Sequence, residues 1–76
     1  MNAQEYKIKG WVARDQNVSE DGTNLYFGWK KPKRLGDEPF ITWVDFGDFI
    51  SLPKEMFQDI TWESEPIEVE LLIRKL

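Results

Sequence analysis

Carboxylates are the most numerous groups in this chain that could do acid–base chemistry, and they form two patches. Asp45 and Asp48 stand three residues apart, and Asp59, Glu63 and Glu65 form the second patch. A glycosidase needs two carboxylates facing each other across a cleft about 5–9.5 Å wide, and 76 residues leave little room for both that cleft and a core. A calcium loop needs alternating oxygen ligands and a closing Glu, an order that no segment supplies. We therefore interpret these acids as solvated and predict no metal site.

Nucleophilic catalysis lacks its usual partners in this sequence. There is no His and no Cys, which removes the usual general base, the commonest metal ligand and thiolate chemistry. Ser51-Leu-Pro-Lys54 has the bare spacing of a Ser-x-x-Lys pair, but Pro53 and a predicted strand-to-turn step replace the helix that this pair needs. The five glycines are scattered, so there is no phosphate loop. The sequence predicts a protein that is not an enzyme and has no cofactor.

An aromatic segment that runs directly into basic residues is the strongest binding candidate. Single-stranded nucleic acid is held by rings that stack on bases beside cations that track phosphates. The alternative is that Phe27 and Trp29 are core residues and only Tyr26 is exposed, because a small domain needs most of its aromatics inside. We favour this core interpretation. The candidate binding residues are Tyr26, Trp29, Lys30, Lys31, Lys33 and Arg34.

Charge and composition restrict the class of protein. The net charge is -4 and the isoelectric point is about 4.7, which argues against nonspecific DNA binding because that affinity comes from Lys and Arg. Four Trp, two Tyr and five Phe exclude intrinsic disorder. Met1–Tyr6 lacks the charge and apolar block of a signal peptide, and no apolar run is long enough to cross a membrane. We expect one cytoplasmic domain spanning residues 1–76.

The first half of the chain predicts a β-hairpin. Tyr6–Arg14 and Leu25–Trp29 alternate apolar and polar residues, which is typical of strands. The polar segment between them contains Asp21-Gly22, a dipeptide suited to the positive φ of a turn. Trp11 falls out of phase with the apolar face of the first strand. We predict a β-bulge at Gly10 that turns Trp11 toward the core.

The second half predicts further strands around one short helical turn. Phe40–Phe46 is apolar on both faces, so we expect a central strand covered on both faces or a strand packed inside a small barrel. Ile67–Ile73 has the cleanest alternation, and acidic side chains on its outer face are expected to deter edge-to-edge pairing. The remaining segments are predicted as a loop at Lys30–Pro39, a strand continuation at Phe49–Leu52 and a helical turn at Pro53–Gln58. The fold class is mainly β: a small antiparallel sheet or barrel-like domain of four to five strands.

Several short strings follow one another along the chain: Trp11-Val-Ala-Arg-Asp15, Asp21-Gly22, Leu25-Tyr-Phe, Lys31-Pro32, Trp43, Asp48-Phe-Ile, Leu52-Pro, Phe57, Ile60-Thr-Trp62-Glu and Pro66-Ile-Glu-Val-Glu. Their order resembles that of a group of small uncharacterised proteins from gut anaerobes and their mobile elements or phages. The resemblance extends from Trp11 to Leu71 and implies a cytoplasmic protein in a mobile-DNA context, with no activity and no functional residue to carry over.

Three functions fit the residues. The chain has many Trp and Phe residues for its length, and its two halves differ in net charge, which is +1 for residues 1–38 and -5 for residues 39–76. These features favour a small noncatalytic protein-interaction domain whose partner is another protein or a second copy of the chain. The second is a single-stranded nucleic-acid binder that uses the aromatic strand and the basic loop. The third is an acidic inhibitor that mimics DNA.

Overall fold

The computed structural model describes residues 4–76, which form six β-strands in two antiparallel sheets and no helix. The larger sheet has the strand order β5-β2-β1-β6 and stays open, and β3 pairs with β4 in the smaller one. The predicted class, mainly β and antiparallel, is confirmed. Pro53–Gln58 forms consecutive turns rather than a helix. The strands are β1 Glu5–Arg14, β2 Leu25–Gly28, β3 Lys33–Leu35, β4 Thr42–Val44, β5 Phe49–Leu52 and β6 Ile67–Arg74.

The predicted hairpin between β1 and β2 is present, but the predicted bulge at Gly10 is wrong. The register of β1 against β6 runs without interruption from Glu5 opposite Arg74 to Val12 opposite Ile67. A Cβ atom at Gly10 would clash with the ring of Phe27 and lie 2.5 Å from the carbonyl oxygen of Gly28. The glycine therefore makes room for a core ring. Trp11 keeps its strand phase and stays half-buried.

The four-stranded sheet has an apolar cluster on each face. On one face, which we call the Arg14 face, the buried cluster contains Val12, Leu25, Phe27 and Ile60. Ile60 belongs to the connector between β5 and β6, so this connector covers part of that face. On the opposite face, the Tyr26 face, the cluster contains Ala13, Trp43 and Phe46, with Tyr26 packed against it.

The predicted central strand Phe40–Phe46 is wrong in its extent and its position. Only Thr42–Val44 is a strand, and its partner is β3, which lies inside the segment predicted as a loop. Phe40 is 70% exposed, whereas Ile41 is buried. Asp45 has a φ of 68°, a left-handed conformation that ends the strand. The small β3–β4 sheet therefore covers the Tyr26 face instead of lying inside the larger sheet.

The predicted alternation of β6 is confirmed near the core. Val69 and Leu71 are half-buried and pack against the cluster on the Arg14 face. Ile67 and Ile73 share their phase but remain 41% and 54% exposed. Ile73 is exposed because β2 pairs only with residues 11–14 of β1, while β6 pairs with residues 5–12. Residues 5–10 and 69–74 thus form a two-stranded projection, which we call the ribbon.

Candidate functional site

The predicted basic cluster begins where the two sheets meet. The backbone N–H of Trp29 donates to the carbonyl of Asp48 at 3.3 Å, and that of Lys30 donates to the carbonyl of Phe46 at 2.8 Å. These bonds fix the start of the cluster against the segment between β4 and β5. Lys31 then places its Nζ 5.5 Å from the centroid of the Trp11 ring, within the range of a cation–π contact.

Three of the four predicted cations share one cleft. Lys30, Lys31 and Lys33 line a cleft of about 430 Å³ that also contains the carboxylate of Asp45. Arg34 follows Lys33 on β3, and successive side chains of a strand point to opposite sides. The side chain of Arg34 therefore leaves β3 on the side opposite to that of Lys33, and Arg34 does not line the cleft. The cleft is basic, but Asp45 offsets part of its charge.

The two predicted aromatic binding residues lie on opposite faces of the sheet. Tyr26 is half-buried, with its ring centroid 6.4 Å from that of Phe46 on the Tyr26 face. Trp29 packs edge-on against Phe27, with centroids 5.1 Å apart, on the Arg14 face. The expectation that Phe27 is core is confirmed at 2% exposure, whereas Trp29 is 44% exposed, so its placement in the core is wrong. Tyr26 and Trp29 cannot stack on bases of one strand from the same side.

An aromatic cleft that sequence reasoning missed lies on the Tyr26 face. Its volume is about 520 Å³. The rings of Tyr26 and Phe49 meet edge to face at 5.7 Å and form one wall. Carboxylates from two separate loops stand beside these rings, so the cleft suits a ligand with an apolar body and a polar end. The available signal in the sequence was the run from Trp43 to Gly47, in which aromatic and acidic residues lie close together. The lining residues are Asp15, Tyr26, Trp43, Val44, Asp45, Phe46, Gly47 and Phe49.

Asp15 is a partly buried acid in the wall of this cleft. Burial raises the pKa of its carboxyl above the usual 3.8, and the backbone N–H of Trp43, which donates to it at 2.8 Å, opposes the shift. The folded chain therefore holds this proton more tightly than the unfolded chain does. The contribution of Asp15 to stability is complete below pH 3.8 and is lost as the pH rises through the folded pKa.

Asp15→Asn keeps an acceptor for the Trp43 N–H and removes the ionisation. As the pH rises from about 4 to 7, we expect the free energy of unfolding of the parent to fall relative to that of this variant. Urea unfolding at a series of pH values measures the difference. Asp48→Asn, which changes an exposed acid, is the matched control. Parallel curves for parent and Asp15→Asn would contradict the assigned direction.

Arg14 is a buried guanidinium that sequence reasoning did not single out. It is 8% exposed, and its Nη1 donates to Oδ1 of Asn24 at 2.7 Å. Its other hydrogen bonds go to backbone carbonyls of the connector. The strand phase was the available signal, because Arg14 has the same parity as Ile8 and Val12 on the buried face. The carbonyl partners are Ile60 at 2.6 Å, Met56 at 2.9 Å, Lys54 at 3.1 Å and Phe57 at 3.3 Å.

Comparison with protein-family models, curated proteins and solved structures finds no match. Within residues 4–76, no helix is long and apolar enough to cross a membrane. The same part of the chain contains no group of three or more acidic, His or Cys residues arranged to hold a metal ion.

Proposed function

We propose that the chain is a small noncatalytic protein-interaction domain that binds through its Arg14 face. One observation carries the proposal: apolar side chains remain exposed on this face beyond the part covered by the connector. Contiguous exposed apolar surface marks interaction sites, and aromatic residues are enriched in protein interfaces. The exposed residues are Tyr6 at 64%, Ile73 at 54%, Trp29 at 44%, Ile50 at 42% and Ile67 at 41%.

The register places these side chains on one face. Ile50 lies opposite Phe27, which is part of the buried cluster of that face. Tyr6 lies opposite Ile73 in the ribbon and has the same strand parity as Val12. The apolar surface thus continues from the core outward along the ribbon. Burial of such surface stabilises a complex by roughly 25 cal/mol per Å², before the costs of association are subtracted.

A face-specific capture experiment tests this proposal. Trp29→Ser combined with Ile50→Thr lowers the apolarity of the face at two exposed positions. We expect this variant to lose a protein that the parent captures from its native cell, as identified by mass spectrometry. Because both side chains are over 40% exposed, the melting temperature should change by no more than about 4 °C.

The matched control is Lys30→Ser combined with Lys31→Ser, which changes two exposed cations at the neighbouring turn. We expect this control to keep the captured protein. A capture profile that is identical for the parent and the face variant would contradict the proposal.

Single-stranded nucleic acid is the second candidate, because Trp29 is exposed directly before the basic cluster. The two variants above also discriminate this candidate when binding of a labelled oligonucleotide is followed by fluorescence anisotropy at low salt. Binding that both variants lose, and that weakens steeply with salt, would favour the nucleic-acid function. The DNA-mimic alternative has less support, since Glu70 lies opposite Lys9 in the ribbon and Glu68 opposite Trp11.

A further inference from the structure

The ribbon is the least supported part of the molecule. Its residues pair only with each other, and β6 is an edge of the sheet along its whole length. A two-stranded ribbon is marginally stable at best in water, and three or more strands with an apolar face are needed for independent stability. We infer that a second copy of the chain pairs with β6 through its own β6, antiparallel and with Leu71 at the two-fold axis. This inference goes beyond the proposed function, because the dimer forms through the edge of β6 and leaves the Arg14 face free for a different protein.

One backbone hydrogen bond at the end of the ribbon shows which residues of β6 direct their N–H and C=O groups away from β1. The N–H of Lys75 donates to the carbonyl of Gln4 at 2.8 Å. In an antiparallel pair, residues alternate between bonding their partner strand and pointing away from it. The odd-numbered residues of β6 therefore bond β1. The N–H and C=O groups available to another strand belong to Glu68, Glu70, Leu72 and Arg74.

These outward groups restrict the register of two β6 strands related by a two-fold axis. With Leu71 opposite its own copy, Glu68 lies opposite Arg74 of the second copy, and Arg74 lies opposite the second Glu68. All the outward groups between these positions then pair, giving about eight backbone hydrogen bonds. Opposite charges on directly opposed residues stabilise a strand pair.

Two neighbouring registers also bring the outward groups of the two β6 strands together, but both are less favourable. A shift that places Glu70 opposite its own copy brings two carboxylates together and sets Arg74 against Pro66, which has no N–H to donate. A shift that places Leu72 opposite its own copy shortens the overlap within β6 to residues 70–74. The acidic side chains of β6 therefore select a register instead of preventing pairing altogether.

The paired ribbons also extend the apolar Arg14 face. Val69 lies opposite Ile73 of the second copy, and the two Leu71 side chains meet at the axis. Strands β1 and β6 of both copies form a four-stranded sheet in place of two isolated ribbons. The free edge of β1 is a poorer site, because β2 occupies the partners of β1 from Trp11 onward.

Sedimentation of charge variants tests the register. We expect sedimentation of the parent chain to give a mass twice that of its 9.0 kDa monomer. Arg74→Glu or Glu68→Arg should raise the dissociation constant of the dimer about tenfold or more. The combined exchange, Glu68→Arg with Arg74→Glu, should restore it. Glu5→Gln is the control, because it removes only the contact at 3.9 Å between Glu5 and Arg74 within one chain.

A monomeric parent, or a dimer that tolerates both single exchanges, would overturn the inference. A monomer whose capture of a different protein still depends on the Arg14 face would leave the proposed function standing. A monomer with no face-dependent capture would overturn both.

Cysteine cross-linking tests the position of the axis, since the chain has no native Cys. Leu71→Cys should form a disulfide-linked dimer under mild oxidation, because two residues opposite each other at the axis are close enough for a disulfide. Val69→Cys, half-buried on the same face, is the matched control and should remain uncross-linked. Cross-linking of Leu72→Cys in place of Leu71→Cys would overturn the proposed register.

Discussion

Arg14→Ala is expected to lower the free energy of unfolding by about 3–5 kcal/mol, which is enough to unfold much of a small domain. The guanidinium satisfies four backbone carbonyls of the connector and the amide oxygen of Asn24. Its removal leaves the other oxygens without a donor in a partly buried environment, while the carbonyl of Phe57 still accepts from the N–H of Ile60. Each buried unsatisfied group costs about 1–3 kcal/mol. Urea unfolding measures the loss, and hydrogen exchange should show the connector opening first.

Arg14→Lys separates charge from geometry. An ammonium keeps the positive charge but cannot replace the planar fork of donors, so we expect this variant to recover only a small part of the loss. Arg34→Ala is the matched control, because Arg34 is exposed on β3 and should change stability by no more than about 0.5 kcal/mol. Similar effects at positions 14 and 34 would show that the connector is held by other contacts.

Gly10→Ala is expected to destabilise the fold by about 3 kcal/mol, at the upper end for overpacking a core. The new methyl group would overlap the ring of Phe27, which is 2% exposed and cannot move outward. It would also press on the carbonyl of Gly28, which is backbone in the neighbouring strand. Thermal unfolding of the variant measures this cost.

A double-mutant cycle with Phe27→Leu isolates the clash. The shorter side chain removes the ring atoms that meet the new methyl group, so the combined variant should be more stable than the sum of the single effects predicts. Gly22→Ala is the control, because no atom lies within 4 Å of its Cβ position. Its φ of +83° still carries a backbone cost of about 1–2 kcal/mol. Additive effects at positions 10 and 27 would place the strain elsewhere.

The parts of the fold that sequence reasoning predicted correctly are those governed by a local pattern. The apolar alternation of β6 and the Asp21-Gly22 turn are local signals, and Gly22 has the expected positive φ. Strand β3 carries no such signal, since it has three residues, all exposed and two of them charged. Its pairing with β4 depends on contacts across a turn that contains Gly36 and Pro39.

The candidate site shows the same limit. The lysines of the basic cluster are exposed, as their residue type indicates, because long cations are rarely buried. Trp29 was misplaced because the strand phase continues beyond Gly28, while the connector that would have to cover it does not reach so far. Arg14 was missed because the carbonyls that bind it come from residues 54–60, which are 40 to 46 positions away.

The ribbon also determines the order in which the chain folds. Its two strands lie at opposite ends of the described chain, so pairing Glu5 with Arg74 closes a very long loop before any contact offsets the entropy. The β1–β2 hairpin closes a much shorter loop and should form first. The strands of the ribbon should therefore pair last, starting beside Val12 and Ile67 and ending at Glu5 and Arg74. At equilibrium, the end of the ribbon should be the first segment to open. A dimer that pairs through the edge of β6 would form only after the monomer has completed folding, so only fully folded chains would assemble.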